Sequence, residues 1–87
     1  MSYVIDIYPG CEKEINKACR KNPILEKILK KKMNEIISNP FHYKPLGYEL
    51  KGERRVHILK SFVLAFKIIP EENTVQFLRF RHHDQAY

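Results

Sequence analysis

The segment from Arg79 to Tyr87 combines three kinds of side chain that can handle a phosphodiester. It reads Arg79-Phe80-Arg81-His82-His83-Asp84-Gln85-Ala86-Tyr87. Arginines bind phosphate oxygens, imidazoles exchange protons near neutral pH, and an aromatic ring can stack on a base. The segment therefore predicts a site for chemistry on a nucleic acid, with a solvated tail as the alternative.

A second group of basic residues lies upstream, in sequence that alternates as a strand does. Its members are Arg54, Arg55, His57 and Lys60, and no comparable run of acidic residues accompanies them. When helices cover one face of a sheet, the other face is free to be polar. We expect these residues, with Arg79 and Arg81, to build a basic sheet face that can hold a phosphodiester.

Two other kinds of site fit the sequence less well. A zinc or nickel site on His82, His83 and Asp84 is disfavoured, because adjacent side chains of a strand point to opposite faces. Cys11 and Cys19 are eight residues apart on one predicted helix, which separates them by about 12 Å along the axis, too far for a disulfide. Both fall on the helix face that we expect to be buried. We therefore predict no metal, no cofactor and no cysteine nucleophile.

The composition points to a polyanionic partner. Sixteen Lys and Arg against ten Asp and Glu give a net charge of +6. Such a charge favours nucleic acid, an acidic protein or an anionic membrane as partner, without choosing among them. No apolar stretch approaches the roughly 18 to 20 residues of a membrane span, and the first residues do not resemble a signal peptide. We expect a cytoplasmic protein with no membrane partner.

The N-terminal half is expected to supply the helices that cover the sheet. Residues 2–8 alternate as a short strand, and apolar residues at helical spacing predict helices over 11–21 and 23–38. Asn22 is suited to cap the second helix, with Pro23 at its first position. Two helices joined by so short a break should form a hairpin.

The C-terminal half is expected to supply the sheet. After a loop over 41–50, the pattern predicts strands over 54–59, 62–69 and 74–80, with a turn at 70–73. Strands with such short connections are antiparallel neighbours. The predicted fold is α+β in the order β-α-α-β-β-β, an antiparallel sheet with a helical hairpin packed on one face. Residues 1–87 are expected to form a single domain.

This order of elements and three motifs resemble the RelE/ParE superfamily of toxins from type II toxin–antitoxin systems, and the YafQ-like branch in particular. That branch carries Arg-x-x-His, four residues, a large aromatic, Val-Leu-Ile-Tyr, and a final His-x-x-x-Phe. The matching blocks here are Arg54-Arg55-Val56-His57, Phe62-Val63-Leu64-Ala65-Phe66 and His83-Asp84-Gln85-Ala86-Tyr87. The resemblance spans nearly the whole chain.

The resemblance implies a metal-independent endoribonuclease that cleaves messenger RNA on the ribosome. In such toxins the 2′-OH attacks the adjacent phosphate and leaves a 2′,3′-cyclic phosphate and a 5′-OH. This chemistry needs a base, an acid and cations around the phosphate, and it acts on RNA alone. The partners implied are the ribosome, messenger RNA and a neutralising RelB-like antitoxin.

The resemblance also implies roles for individual residues. His83 matches the family's catalytic histidine, and Tyr87 matches the closing aromatic that stacks or transfers a proton. Arg81 stands where RelE stabilises the phosphate. The supporting positions along the strands are His57, Arg54, Arg55, Lys60 and Arg79.

Two positions depart from the pattern, and other functions remain open. Ser61 replaces an acid of YafQ-like toxins, and Val63 replaces an arginine of RelE. The chief alternative is a ParE-like toxin that inhibits DNA gyrase and needs no proton carriers. The other is an inactive relative that only binds nucleic acid or antitoxin. Histidines at two motif positions favour the nuclease. Codon preference, oligomeric state and the surface that the antitoxin covers do not follow from the sequence.

Overall fold

Four strands and two α-helices organise the part of the chain that the structure, a computed structural model, describes: residues 2–43 and 52–82. The strands are β1 (Val4–Ile7), β2 (Glu53–Ile58), β3 (Phe62–Ile69) and β4 (Thr74–His82), and the helices are α1 (Pro9–Cys19) and α2 (Pro23–Ser38). The α+β class and the β-α-α-β-β-β order are confirmed. Within these ranges no helix is both long and apolar enough to cross a membrane.

The sheet is mixed, in the order β1-β4-β3-β2. β2, β3 and β4 are antiparallel neighbours as predicted, but β1 runs parallel to β4, so the expectation of an all-antiparallel sheet is wrong for β1. A hairpin turn forces its two strands to be antiparallel. β1 and β4 are separated by the rest of the fold, so no turn fixes their relative direction.

The helices begin and end through local signals. α1 starts at Pro9, earlier than the predicted residue 11, because proline is well accommodated in the first turn of a helix. α2 starts as predicted: the Asn22 side chain accepts a hydrogen bond from the Leu25 amide at 3.1 Å and caps the helix. It ends at Ser38, before Pro40.

The core lies between the helices and one face of the sheet. Leu25, Leu29 and Ile36 of α2 are buried against the rings of Phe66, Phe77 and Phe80. Burying a side chain of this size contributes about 1.5–3 kcal/mol. Cys11 and Cys19 of α1 are buried free thiols, as expected. Burial raises the pKa of Cys11 to about 12, with a smaller contribution from nearby Glu14.

A β-bulge in β4 decides which of its side chains face the helices. Ala65 pairs with Arg79 and Phe66 pairs with Phe77, so Leu78 is an extra residue in β4. Phe77 and Phe80, three residues apart, are therefore both buried in the core. Strict alternation from Phe77 would have turned Arg79 inward and Phe80 outward. The bulge thus places Arg79 and Arg81 on the face opposite to the core.

Candidate nucleic-acid interface

The sheet face turned away from the helices, called the open face below, carries most of the predicted site. Strand register arranges it in three rows across β2, β3 and β4. The rows are His57–Val63–Arg81, Arg55–Ala65–Arg79 and Glu53–Lys67–Gln76. Cross-strand partners point to the same face of a sheet. Basic side chains therefore flank β3 from both neighbouring strands.

Small residues form the middle of this surface. Val63 and Ala65 are each 2% exposed, and neither belongs to the core beneath the helices. Their short side chains on β3 lie between longer ones on β2 and β4. Those outer strands are about 10 Å apart, twice the usual strand spacing. The longer side chains therefore cover Val63 and Ala65 and place basic groups along both edges of β3, a surface called the groove below.

One acidic residue joins the two edges of the groove. Glu53 Oε2 accepts hydrogen bonds from Arg55 Nε at 3.3 Å and from Arg79 Nη2. Glu53 is 8% exposed and is the sole charged residue buried within residues 2–43 and 52–82. Since Glu53 lies on β2 and Arg79 on β4, their contact crosses above β3. Sequence reasoning missed Glu53, although its spacing of two from Arg55 in a strand places both on one face.

Arg81 is held by an acid from α1. Its Nε donates to Glu14 Oε2 at 2.6 Å, and the other Glu14 oxygen accepts the Phe80 amide at 3.1 Å. β1 pairs only with Thr74 to Phe77, so Phe80 lies on the part of β4 beyond β1. Glu14 satisfies that amide and binds the neighbouring guanidinium. Glu14 is 66 or more residues from these partners in the sequence, so only the tertiary fold reveals the contact.

Arg54 does not lie on the open face, so its expected position is corrected. It pairs with Phe66 and shares a strand face with Val56, which puts it on the helix side. Its guanidinium donates to the Tyr43 carbonyl and lies 5.4 Å from the Phe41 ring centroid. The cause is the period of two in a strand: Arg55 faces outward, so Arg54 faces inward. Its assignment to RNA binding stays a prediction.

His57 and Lys60 lie near the end of the groove at the β2–β3 turn. His57 is exposed and pairs across β2 and β3 with Val63. Lys60 is in the turn itself, where Leu59 and Lys60 have φ angles of 54° and 65°. Such angles are strained for residues with a Cβ atom.

The C-terminal candidates are only partly within the described residues. His83, Tyr87 and the residues between them lie outside those ranges. His82 pairs with Phe62, and their rings meet edge to face at 5.6 Å between centroids. It therefore lies on the helix side of the sheet, opposite to Arg81, as strand alternation requires.

Known proteins share both the sequence pattern and this fold. A family model described as "ParE toxin of type II toxin-antitoxin system, parDE" matches residues 11–87. A candidate toxin, RelE4 of Methanocaldococcus jannaschii, is 44% identical over 98% of this chain and 90% of its own length.

Solved structures agree with these matches. A chain of the toxin–antitoxin complex RelBE2 from Mycobacterium tuberculosis superposes with a TM-score of 0.78 at 23% identity, covering 94% of this chain and 99% of that one. A chain of the E. coli DinJ–YafQ toxin–antitoxin complex gives a TM-score of 0.77 at 22% identity, covering 100% and 99%. The chain thus belongs to the RelE/ParE superfamily and is a toxin of a type II toxin–antitoxin system.

Proposed function

We propose that this toxin is an endoribonuclease that cleaves messenger RNA on the ribosome by 2′-OH attack, without a metal. The observation that carries the proposal is the groove along β3. Arg55 and His57 line one edge, and Arg79 and Arg81 line the other. Preorganised cations of this kind stabilise the charge that develops on a phosphate during in-line attack.

The candidate residues have distinct roles in this proposal. Arg55, Arg79 and Arg81 contact the phosphate oxygens, and the carboxylate of Glu53 joins Arg55 to Arg79. His57 is a candidate proton carrier at the far edge of the row that contains Arg81.

His83 is proposed as the principal proton carrier and Tyr87 as the stacking or proton-transferring ring. Lys60 is proposed to hold the RNA backbone at the end of the groove, and Arg54 is proposed to contact it from the helix side of the sheet.

We further propose that a RelB-like antitoxin neutralises the toxin. Both structural relatives above are toxin–antitoxin complexes. The net charge of +6 and the basic open face favour an acidic amphipathic segment, which gains charge pairing and apolar burial. Action on translating ribosomes implies that the toxin works in the cytoplasm.

A cleavage assay with a chemically altered messenger tests the reaction. Purified toxin is added to ribosomes translating a defined messenger, and new 5′ ends are mapped by primer extension. Cuts are expected only when ribosomes are present. A single 2′-deoxynucleotide on the 5′ side of the mapped cut should abolish that cut and leave the others, because the attacking group is gone. Persistent cleavage at the 2′-deoxy position would rule out this mechanism.

The second candidate function is inhibition of DNA gyrase, as in ParE toxins. Two observations favour it: the matched family model is named for ParE, and three arginines of the open face are already bound to acids. A gyrase supercoiling assay with the same protein separates the two functions. Stalled gyrase together with uncut messenger would select the ParE-like activity. Untouched gyrase with cut messenger selects the nuclease.

A further inference from the structure

Glu53 is an unexpected residue on a surface that is proposed to bind phosphates. A carboxylate there repels RNA, and burying its charge is costly unless it is paired. Glu53 is nevertheless 8% exposed and lies in the row next to the paired arginines. We therefore expect Glu53 to have a function that offsets the weaker attraction between this surface and RNA.

The geometry around Glu53 suggests what that function is. Arg55 and Arg79 start from strands on opposite sides of β3, yet both bind the same oxygen, Oε2. Two guanidinium groups brought to one point repel each other. The carboxylate offsets that repulsion and limits the rotamers that both long side chains can adopt. A guanidinium carries five N–H donors, so it can bind a carboxylate and a phosphate at the same time.

We propose that Glu53 is a positioning residue that holds Arg55 and Arg79 together above Ala65, as one preformed phosphate clamp. The proposal rests on the proposed nuclease function. Preorganised donors avoid reorganisation during the reaction, and a displacement of about 1 Å can cost a hundredfold in rate. Glu53 thus gives up some electrostatic attraction to RNA and gains a fixed arrangement of the two arginines.

The variant Glu53→Gln separates positioning from simple charge, because the two effects have opposite signs. It removes one negative charge and keeps the size of the side chain. Charge alone predicts equal or tighter binding of a single-stranded RNA oligonucleotide. Positioning predicts that the cleavage rate on saturated ribosomes falls by at least about tenfold. The expected result is an unchanged or improved dissociation constant for RNA together with a lower kcat.

Two further variants control for charge and side-chain length. Glu71→Gln makes the same change of net charge at an exposed acid in the β3–β4 turn, and should cleave as the wild type does. Glu53→Asp keeps the charge but shortens the side chain, so kcat should fall between those of the wild type and Glu53→Gln. A wild-type kcat in Glu53→Gln, or equal losses in Glu53→Gln and Glu71→Gln, would overturn the proposal.

A readout without catalysis distinguishes failure of this proposal from failure of the nuclease function. In the NMR spectrum of the free toxin, the Arg55 Nε–H and Arg79 Nη2–H signals should be protected from solvent exchange in the wild type and lose protection in Glu53→Gln. If the wild type cuts no messenger but these signals change as expected, the nuclease is wrong and the clamp remains. If the signals are the same in both proteins and the variant differs only by a lower Tm, Glu53 stabilises the fold and does not position the two arginines.

Discussion

At the scale of single residues, the arginines of the open face differ in how firmly they are held. The Arg55 side chain is 15% exposed and Arg79 is 37% exposed, and both bind the buried Glu53. Arg81 is 44% exposed, and its partner Glu14 is 28% exposed. A solvent-exposed ion pair of this kind contributes about 0–1 kcal/mol to the free energy of unfolding. Arg81 can therefore exchange Glu14 for a phosphate at low cost, whereas the pair on Glu53 stays in place.

The buried thiol of Cys11 should be unreactive in the folded protein. Burial raises its pKa from 9.0 to about 12, and the thiolate is the reactive form. Iodoacetamide at pH 8 should leave Cys11 unmodified in the native toxin and modify it in urea, as read by mass spectrometry. Rapid native labelling would show that the α1 contact with the sheet opens readily.

The same shift predicts a loss of stability at alkaline pH. The unfolded chain releases the Cys11 proton near pH 9, while the folded chain retains it up to about pH 12. The unfolded state then binds fewer protons, so the free energy of unfolding falls as pH rises through this window. Urea titrations from pH 8 to 10.5 should show the fall in the wild type and a smaller one in Cys11→Ala. If the free energy of unfolding falls equally with pH in both proteins, the loss of stability comes from titratable groups other than Cys11.

At the scale of elements, sequence patterns predicted the strands better than their faces. The period of two in β2 placed Arg55 and His57 on the open face, and the same period should have excluded Arg54 from it. The faces of β4 could not be read in this way, because the bulge at Leu78 shifts the alternation between Phe77 and Phe80. Leu78 carries no turn signal, and the bulge follows from packing both rings in one core. The direction of β1 likewise depends on tertiary pairing with β4.

The β2–β3 turn holds strain that a substitution should relieve. Leu59 and Lys60 both have positive φ, at a cost of about 1 kcal/mol or more each. Asparagine tolerates this region, so Leu59→Asn should raise the free energy of unfolding by about 0.5–1 kcal/mol in urea titration. Leu59 is 47% exposed, so little burial is lost. Lower stability in the variant would show that its apolar contacts outweigh the strain.

Lys60→Asn is the companion variant in the same turn. It should gain similar stability, and it should also weaken RNA binding because it removes a cation proposed to hold the backbone. Leu59→Asn is the matched control, since it changes the turn without changing the charge. Equal RNA affinity for the two variants would remove Lys60 from the proposed interface. A combination of greater stability and weaker binding would mark Lys60 as a residue kept for function at the expense of stability.

At the scale of the whole molecule, the fold separates an apolar layer from a basic surface. The helices cover the aromatic core on one side, and the groove along β3 lies on the other. The net charge of +6 by itself indicates a polyanionic partner. It could not reveal that Glu53 and Glu14 bind three of the groove arginines. The contacts of Arg79 with Glu53 and of Arg81 with Glu14 join residues far apart in the sequence. The contact of Arg55 with Glu53 adds an acid to a segment whose pattern is otherwise basic.

The charge of the groove predicts a definite salt dependence of RNA binding. Each contact to a phosphate of single-stranded RNA contributes about −0.7 to the slope of the logarithm of the association constant against the logarithm of the salt concentration. Contacts from Arg55, Arg79, Arg81 and Lys60 together predict a slope of about −2 to −3. Arg79→Gln should reduce its magnitude by about 0.7. Arg20→Gln, at an exposed position after α1, should leave the slope unchanged. Equal reductions in both variants would mean that RNA binds the general charge and not the groove.

The most direct test of the nuclease function compares messenger cleavage by the wild type and His83→Ala on translating ribosomes. New 5′ ends are mapped by primer extension, and thermal unfolding verifies that the variant is folded. We expect ribosome-dependent cuts for the wild type that disappear, or weaken by about a hundredfold or more, in His83→Ala. Cuts that persist at the wild-type rate would remove His83 from the reaction. A wild type that leaves messenger intact at every toxin concentration would contradict the nuclease function itself.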